Sequence, residues 1–485
     1  MMNRRKFISS TAATGIGLTI VPSFVLGGKE HVAPNDKVNV GLIGCGTQAA
    51  NMLRGPGRFL SLDELQFITV CDPNKESNDY HQWGRPTGAT EGMIGGREAG
   101  RRWVNEAYAE KTGNSSYDAC TTYADFRELL DKEKVDAIMI IAPDHTHTTI
   151  ALAAMKKKIH VASQKPISNF MYETRLACET SKTAGVNTHM FAYRMSANFL
   201  RVKAWIDGGL IGKVTKVHRW NDRPVWPQGY PYLPEPEKIP FGFDWQLWLG
   251  PSVDRPYSHH YTHTVFRGWY EFGAGCLADM GTYGFWQDWR LLNLGMPIMA
   301  EGLPNVNVEI KDYRSYQFRN TVSWPYASTL YFGDVPVNGK NETIEVMWTD
   351  GGMRPRTPKE LIQLERSIPV EGVIIYGERG AILGGTNYQD PVLVGVRDGE
   401  RAAARIRVPE EFTEPTVEMV QAFQGVKNSA GCFANAQTVC EAIALGNLSI
   451  RAANRLEWDN KEMKVTNVPT ANDYIRRIYR SGWEL

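Results

Sequence analysis

The chain has 485 residues, enough for two sizeable domains. Its 54 basic and 53 acidic side chains leave a formal net charge of +1, and no basic run is present, which sets aside nucleic acid as a partner. Seven cysteines, an odd number without a Cys-x-x-Cys pair, argue against a disulfide framework or a zinc ribbon.

The first segment reads Asn3-Arg4-Arg5-Lys6-Phe7-Ile8, followed by an apolar stretch from Ala12 to Leu26. That stretch is short and glycine-rich for a spanning helix, and the paired arginines predict a twin-arginine export signal over residues 1–34. The predicted location is the periplasm. No later segment reads as a membrane span, so no stable membrane insertion is expected once the signal is removed.

Val38–Ile43 predicts a short buried parallel strand, and Gly44-Cys45-Gly46-Thr47-Gln48-Ala49 follows it at once. Gly44 allows the tight turn, and Gly46 lets a pyrophosphate approach the backbone where Thr47 and Gln48 open a helix. Ala49 keeps that helix close to the strand. A second strand, Gln66–Cys71, ends in Asp72, which would accept hydrogen bonds from the adenosine ribose and repel a 2′-phosphate. NAD is therefore expected rather than NADP. A polar, glycine-rich excursion is expected from Asn74 to Ser116. The pattern then resumes with a helix at Asp125–Lys132 and a strand at Ala137–Ile141 running into Pro143-Asp144-His145-Thr146-His147. A helix at Thr149–Lys156 and a strand at Ile159–Ala162 ending in Gln164-Lys165-Pro166 complete a doubly wound parallel sheet over residues 35–166. Ligands of such sheets bind beyond the carboxyl ends of the strands, which places Pro143, His147 and Lys165 at the site.

The remainder, 167–485, predicts a second α/β domain with strands at Val214–Asn221, Thr321–Phe332 and Glu342–Trp348, and helices at Val417–Lys427 and Ala436–Leu445. The loop Pro224–Pro240 reads as either a lid or a bridge, and the tail after Trp458 as docked on the body. Half of the 14 tryptophans fall between Trp220 and Trp289, which reads either as core packing or as an aromatic groove for sugar rings.

These residues resemble the Gfo/Idh/MocA oxidoreductase family. Its Gly-x-Gly-x-x-Ala loop, Pro-Asp-x-x-His turn and Glu-Lys-Pro turn correspond to Gly44–Ala49, Pro143–His147 and Gln164–Pro166. Gly208–Val217 and Trp245–Asp279 match two further stretches. The resemblance implies an N-terminal Rossmann domain and a C-terminal α/β domain on an open, mostly antiparallel sheet. It places the family's catalytic lysine at Lys165 and its Asp-x-x-x-His pair at Asp279 and Tyr283. Gln164 stands where glutamate is usual, and Tyr283 where histidine is usual. Tyrosine at this position is similar to the exported glucose–fructose oxidoreductase branch, whose members keep their nicotinamide bound.

Lys165 would supply positive charge to a hydroxyl becoming alkoxide-like, Tyr283 would act as acid/base, and Asp279 would orient the lysine or a sugar hydroxyl. Tyr193, Arg194, His259, His260 and Arg267 are expected substrate contacts. His259-His260-x-x-His263 sits in a loop-like segment, so no metal is expected. The implied function is NAD-dependent oxidation of a secondary hydroxyl, C3 for preference, on a small carbohydrate, with the cofactor reset in place. Two alternatives stand beside it: a redox-neutral glycosidase working by oxidation, elimination, hydration and reduction, and a noncatalytic sugar-binding protein. A homo-oligomer is left open.

Overall fold

The computed structural model describes residues 36–83, 90–363 and 365–485; the expected export signal lies outside them. The chain opens with β1 (Val38–Ile43), α1 (Thr47–Leu53) and β2 (Leu65–Cys71). A hairpin, β3 (Ser77–Tyr80) and β4 (Met93–Gly95), leads into α2 (Arg97–Thr112) and β5 (Thr121–Tyr123). Then come α3 (Phe126–Lys132), β6 (Ala137–Ile140), α4 (His147–Lys156), β7 (His160–Ser163), α5 (Met171–Thr183) and β8 (Thr188–Met190). The six sheet strands pair in parallel in the order β5-β2-β1-β6-β7-β8. The apolar runs at β1 and β6 suit strands covered on both faces.

Two features of this half differ from the reading of the sequence. The stretch from Asn74 to Ser116 is not only a surface excursion. It contains α2, which buries Ala99, Trp103, Val104 and Tyr108 at helical spacing. The Tyr108 hydroxyl accepts a hydrogen bond from the Phe67 backbone N–H at 2.8 Å, fixing α2 on β2. The parallel sheet also continues past Pro166, because α5 returns the chain to add β8 beside β7.

The second half contains α6 (Ala197–Asp207), β9 (Val214–Trp220), α7 (Trp245–Leu249) and α8 (Thr282–Leu292). Strands β10 (Met299–Pro304), β11 (Asn307–Lys311), β12 (Arg314–Phe318), β13 (Ser328–Pro336) and β14 (Thr343–Thr349) follow. The last elements are β15 (Gly372–Gly377), β16 (Gly380–Gly385), β17 (Val392–Val394), α9 (Pro415–Phe423), α10 (Phe433–Ala452), β18 (Arg455–Asp459) and β19 (Lys464–Val465). Nine strands form an open sheet in the order β17-β16-β15-β9-β14-β13-β10-β18-β19. Only β9 and β14 pair in parallel; the other pairs are antiparallel.

β13 starts at Ser328, not near Thr321, because Pro325 has no N–H for a ladder. Trp324 instead turns inward and donates to the Gly273 carbonyl at 2.9 Å. All seven tryptophans between Trp220 and Trp289 are buried, so packing, not an open groove, accounts for them. Trp245, Trp248 and Trp269 form a compact aromatic core with Phe243, Tyr257 and Phe272. Among the described residues, no helix is long and apolar enough to cross a membrane.

Candidate active site

A cleft of about 1030 Å3, open mouth included, runs along the carboxyl ends of the parallel strands. Gly44, Gly46, Thr47, Gln48, Asp72, Pro143 and Lys165 all line it. Gly44 has φ 96°, and a Cβ there would run into the Ile141 carbonyl oxygen. At Gly46 a Cβ would meet the Tyr80 ring at 3.0 Å, so this glycine admits Tyr80 as well as a ligand. The first turn of α1 has no side-chain cap and no acidic residue. Its N–H groups are thereby open to an anion such as a pyrophosphate.

Asp72 is buried at the end of β2. Its carboxyl oxygens accept hydrogen bonds from the backbone N–H groups of Cys45 and Asn74, each at 2.8 Å. Burial pushes its pKa up to about 6 against the pull of those two bonds. The carboxyl thus ties the glycine turn to β2. Each oxygen keeps a second lone pair, which leaves room for ribose hydroxyls. The open helix start, the tight glycine turn and this acidic side chain fit a dinucleotide.

At the other end of the cleft, Lys165 follows β7 and is paired with Asp279. Their side chains are 8% and 9% exposed. Arg267 Nε donates to the same Asp279 oxygen at 3.1 Å. Burial pushes the Asp279 carboxyl up, but the charges of Lys165 and Arg267 outweigh it and hold the pKa below its ordinary value. One carboxylate therefore holds two cations. Asp279 sits on a π-helical turn, Leu277–Gly281, that runs directly into α8. Such widened turns recur at functional sites because they re-aim a side chain without ending the helix.

Tyr283 stands in the first turn of α8. Its ring centroid is 5.3 Å from Lys165 Nζ and 4.9 Å from Arg194 Cζ. Tyr283, Tyr193, Arg194, His189 and Arg58 line a second cavity of about 720 Å3. Gln48 and Gln164 border both spaces, so the two adjoin there. Tyr193 is itself buried, held at its hydroxyl by Arg290 at 3.3 Å.

His147 is not among the cleft-lining residues. Its Nδ1 is 2.7 Å from the Pro166 carbonyl and its Nε2 is 2.8 Å from the Ala142 carbonyl. Burial holds its pKa below the ordinary value. The ring lies behind the wall and ties the ends of β6 and β7, and so acts on Lys165 by position. His259 is exposed on a surface turn, with Nδ1 2.7 Å from Glu237, and His260 lies beside it, ring centroids 4.1 Å apart. Neither reaches the two cavities. The third histidine, His263, does: it is stacked on Tyr80 at 4.0 Å, and burial lowers its pKa to about 4. Among the described residues, no three histidine, cysteine or carboxylate side chains gather as a metal set. Trp226 and Gln228, at the start of the proline-rich loop, are buried behind Arg267, whose guanidinium is 5.9 Å from the Trp226 ring. The cleft also takes Tyr80, Phe266 and Trp483, which no local motif marks.

Residues 101–191 match the family model described as "Oxidoreductase family, NAD-binding Rossmann fold". Residues 196–288 match its companion, "Oxidoreductase family, C-terminal alpha/beta domain"; both belong to the Gfo/Idh/MocA set. A myo-inositol 2-dehydrogenase of Thermotoga maritima is 34% identical over 92 residues, 19% of this chain and 28% of that protein. A glycosyl hydrolase family 109 protein of Solibacter usitatus is 23% identical over 226 residues, 44% of each chain. The chain thus spans less than half the length of these relatives. Among solved structures, the WlbA dehydrogenase of Bordetella pertussis, in complex with NADH and UDP-GlcNAcA, superposes with a TM-score of 0.53 at 13% identity. That likeness covers 87% of this chain and 99% of the other, and it is a likeness of fold.

Proposed function

We propose, for a chain that carries both domains of the Gfo/Idh/MocA oxidoreductase family, NAD-dependent oxidation of a secondary hydroxyl on a sugar or glycoside. The observation that carries this reading is that Lys165 and Arg267, both held by the buried Asp279, line the same cleft as Gly44 and Asp72. Bound NAD supplies a hydride acceptor. Lys165 donates a hydrogen bond to the reacting hydroxyl oxygen and stabilises it as its proton leaves. Arg267 adds positive charge, and Asp279 fixes the direction of both cations. Tyr283 takes the proton and passes it to water. Asp72 favours NAD over NADP, and C3 is the favoured position, because a ketone there acidifies the neighbouring C2 hydrogen.

The paired Arg4 and Arg5 ahead of the dinucleotide loop support twin-arginine export to the periplasm with the cofactor already bound. The cofactor would then be reset in place by a second, carbonyl-bearing sugar.

A redox-neutral glycosidase is the second reading. It rests on the stretch of 226 residues similar to a family 109 glycosyl hydrolase. One experiment separates the readings: incubate the purified protein with aryl glycosides, following released phenol and the absorbance of reduced nicotinamide together. Reduced cofactor without phenol supports the oxidoreductase. Phenol without net reduction supports the glycosidase. Neither signal across a broad glycoside panel, with NAD bound, leaves a noncatalytic binding protein and sinks both.

A further inference from the structure

The dinucleotide cleft has an outer wall that the parallel sheet does not supply. Ala124, Asp125 and Phe126 line its end beside β5, two strands from β1, while Lys165 lines its end beside β7. With Gly44 and Gly46 at β1 between them and Asp72 at β2, an NAD molecule can lie only with its adenosine toward β5. Further lining residues come from far along the chain: Leu247 and Trp248 from α7, and Trp483.

On the reading that the cleft binds NAD, we propose that residues 475–485 form a strap over the adenosine end, with the Trp483 indole as the wall against the adenine. Trp483 is half-buried, unlike the tryptophans of the core. Its ring centroid is 6.1 Å from that of Phe126 and 4.4 Å from the Arg127 guanidinium, with Arg480 at 5.6 Å. An indole backed by cations presents a flat, apolar surface suited to a purine.

The strap is fastened at Arg477 and Arg480, and Arg477 also donates to Ser252 Oγ at 2.9 Å, beside the Pro251 carbonyl that Arg480 reaches. Arg477 is fully buried, with Nε 2.5 Å from Glu173 of α5 and its guanidinium 4.7 Å from the Phe170 ring. It also donates to Asn169 Oδ1 at 2.6 Å. Arg480 donates to the Gln246 carbonyl of α7 at 2.6 Å, and its N–H to the Pro251 carbonyl at 3.2 Å. Between these fastenings and Trp483 lie only Ser481 and Gly482, both exposed. On this proposal cofactor exchange requires the indole to leave Phe126 and Arg127 while Arg477 stays anchored, a local opening. Slow exchange follows from the strap itself, without a second subunit.

The test compares full-length wild type with Trp483→Ala, using ADP-ribose and nicotinamide mononucleotide as probes of the two halves of NAD. Base–aromatic stacking is worth roughly 5- to 160-fold in affinity on alanine substitution. Trp483→Ala should weaken ADP-ribose binding and speed release of bound NAD on that scale, leave nicotinamide mononucleotide unchanged, and be largely rescued by Trp483→Phe. In the wild type, ADP-ribose should protect the Arg480–Ser481 bond from trypsin and nicotinamide mononucleotide should not. Unchanged ADP-ribose affinity and NAD release in Trp483→Ala, equal losses for both probes, or trypsin cleavage indifferent to ADP-ribose would each overturn the strap while leaving the NAD reading standing. A wild type that binds neither NAD nor ADP-ribose would overturn that reading itself.

Discussion

Asp279 serves two cations with one carboxylate, and this decides what its neighbours can lose. Lys165→Ala removes the hydrogen bond to the reacting oxygen but leaves the glycine turn and Asp72 intact. Hydride transfer should be abolished with NAD content unchanged, measured by denaturing the purified variant and assaying the released nucleotide. Tyr283→Phe keeps the ring between its two cationic neighbours and removes only the hydroxyl, so turnover should fall by about 10²–10⁴-fold with the fold unchanged. Tyr283→His should recover part of the rate with the pH profile moved toward acid; full activity in Tyr283→Phe at every pH would transfer the acid/base role elsewhere. Asp279→Asn leaves Lys165 and Arg267 buried without their counter-charge, so it should destabilise the fold by about 3–5 kcal/mol in urea unfolding. Lys165, Asp279 and Tyr283 each sit in a short motif with its own spacing, and the fold brings the three side chains together. His147 carries a motif too, but both its ring nitrogens face backbone carbonyls, a placement the motif does not encode. Tyr80 arrives from the end of β3 and His263 and Trp483 from two loops, and nothing local distinguishes them from packing residues.

At the scale of elements, hydrophobic period located the strands better than the chemistry at their ends. β1, β2 and β9 agree with the expected strands to within a residue or so. α2 was hidden because its polar face and neighbouring glycines outweigh five buried positions. β13 and β14 are joined at one end by Asp350, which accepts from the Ser328 N–H and Oγ and from Trp348 Nε1 at 3.0 Å. Burial pushes its pKa up to about 7 despite those bonds. The folded protein therefore holds a proton there that the unfolded chain releases near its ordinary value of 3.8. Stability from this group is complete below that value, declines as pH rises toward about 7, and is constant beyond. Asp350→Asn cannot titrate, so it should remove this part of the slope whatever constant cost it adds. Urea midpoints of both proteins from about pH 4 to about pH 8 check this; parallel profiles would show that Asp350 is ionised throughout.

At the scale of the molecule, a six-stranded Rossmann sheet and a nine-stranded open sheet carry the described residues, with two small hairpins beside them, and the proposed strap belongs to neither large sheet. The two-domain plan was legible from the order of motifs along the chain. The return of residues 475–485 to the first domain was not, because Arg477 and Glu173 are 304 positions apart and an arginine near the end of a sequence reads as solvated. Both side chains are 0% exposed in the fold. Glu173 also accepts from Ser168 Oγ at 2.6 Å, so its carboxylate is fixed whether or not the arginine is present. Arg477→Met would keep much of the volume and strand that charge in the interior. The expected cost is about 3–5 kcal/mol, as for other buried pairs that lose one partner. Replacing both, Arg477→Met with Glu173→Gln, removes the stranded charge and should recover most of the loss. The single variant should also release NAD faster than the wild type, because the strap loses its inner fastening while Lys165 and Asp72 are untouched. Urea midpoints and NAD release rates measured on the same samples test both consequences. A single variant with the wild-type midpoint would mean that the pair does not hold the two halves together.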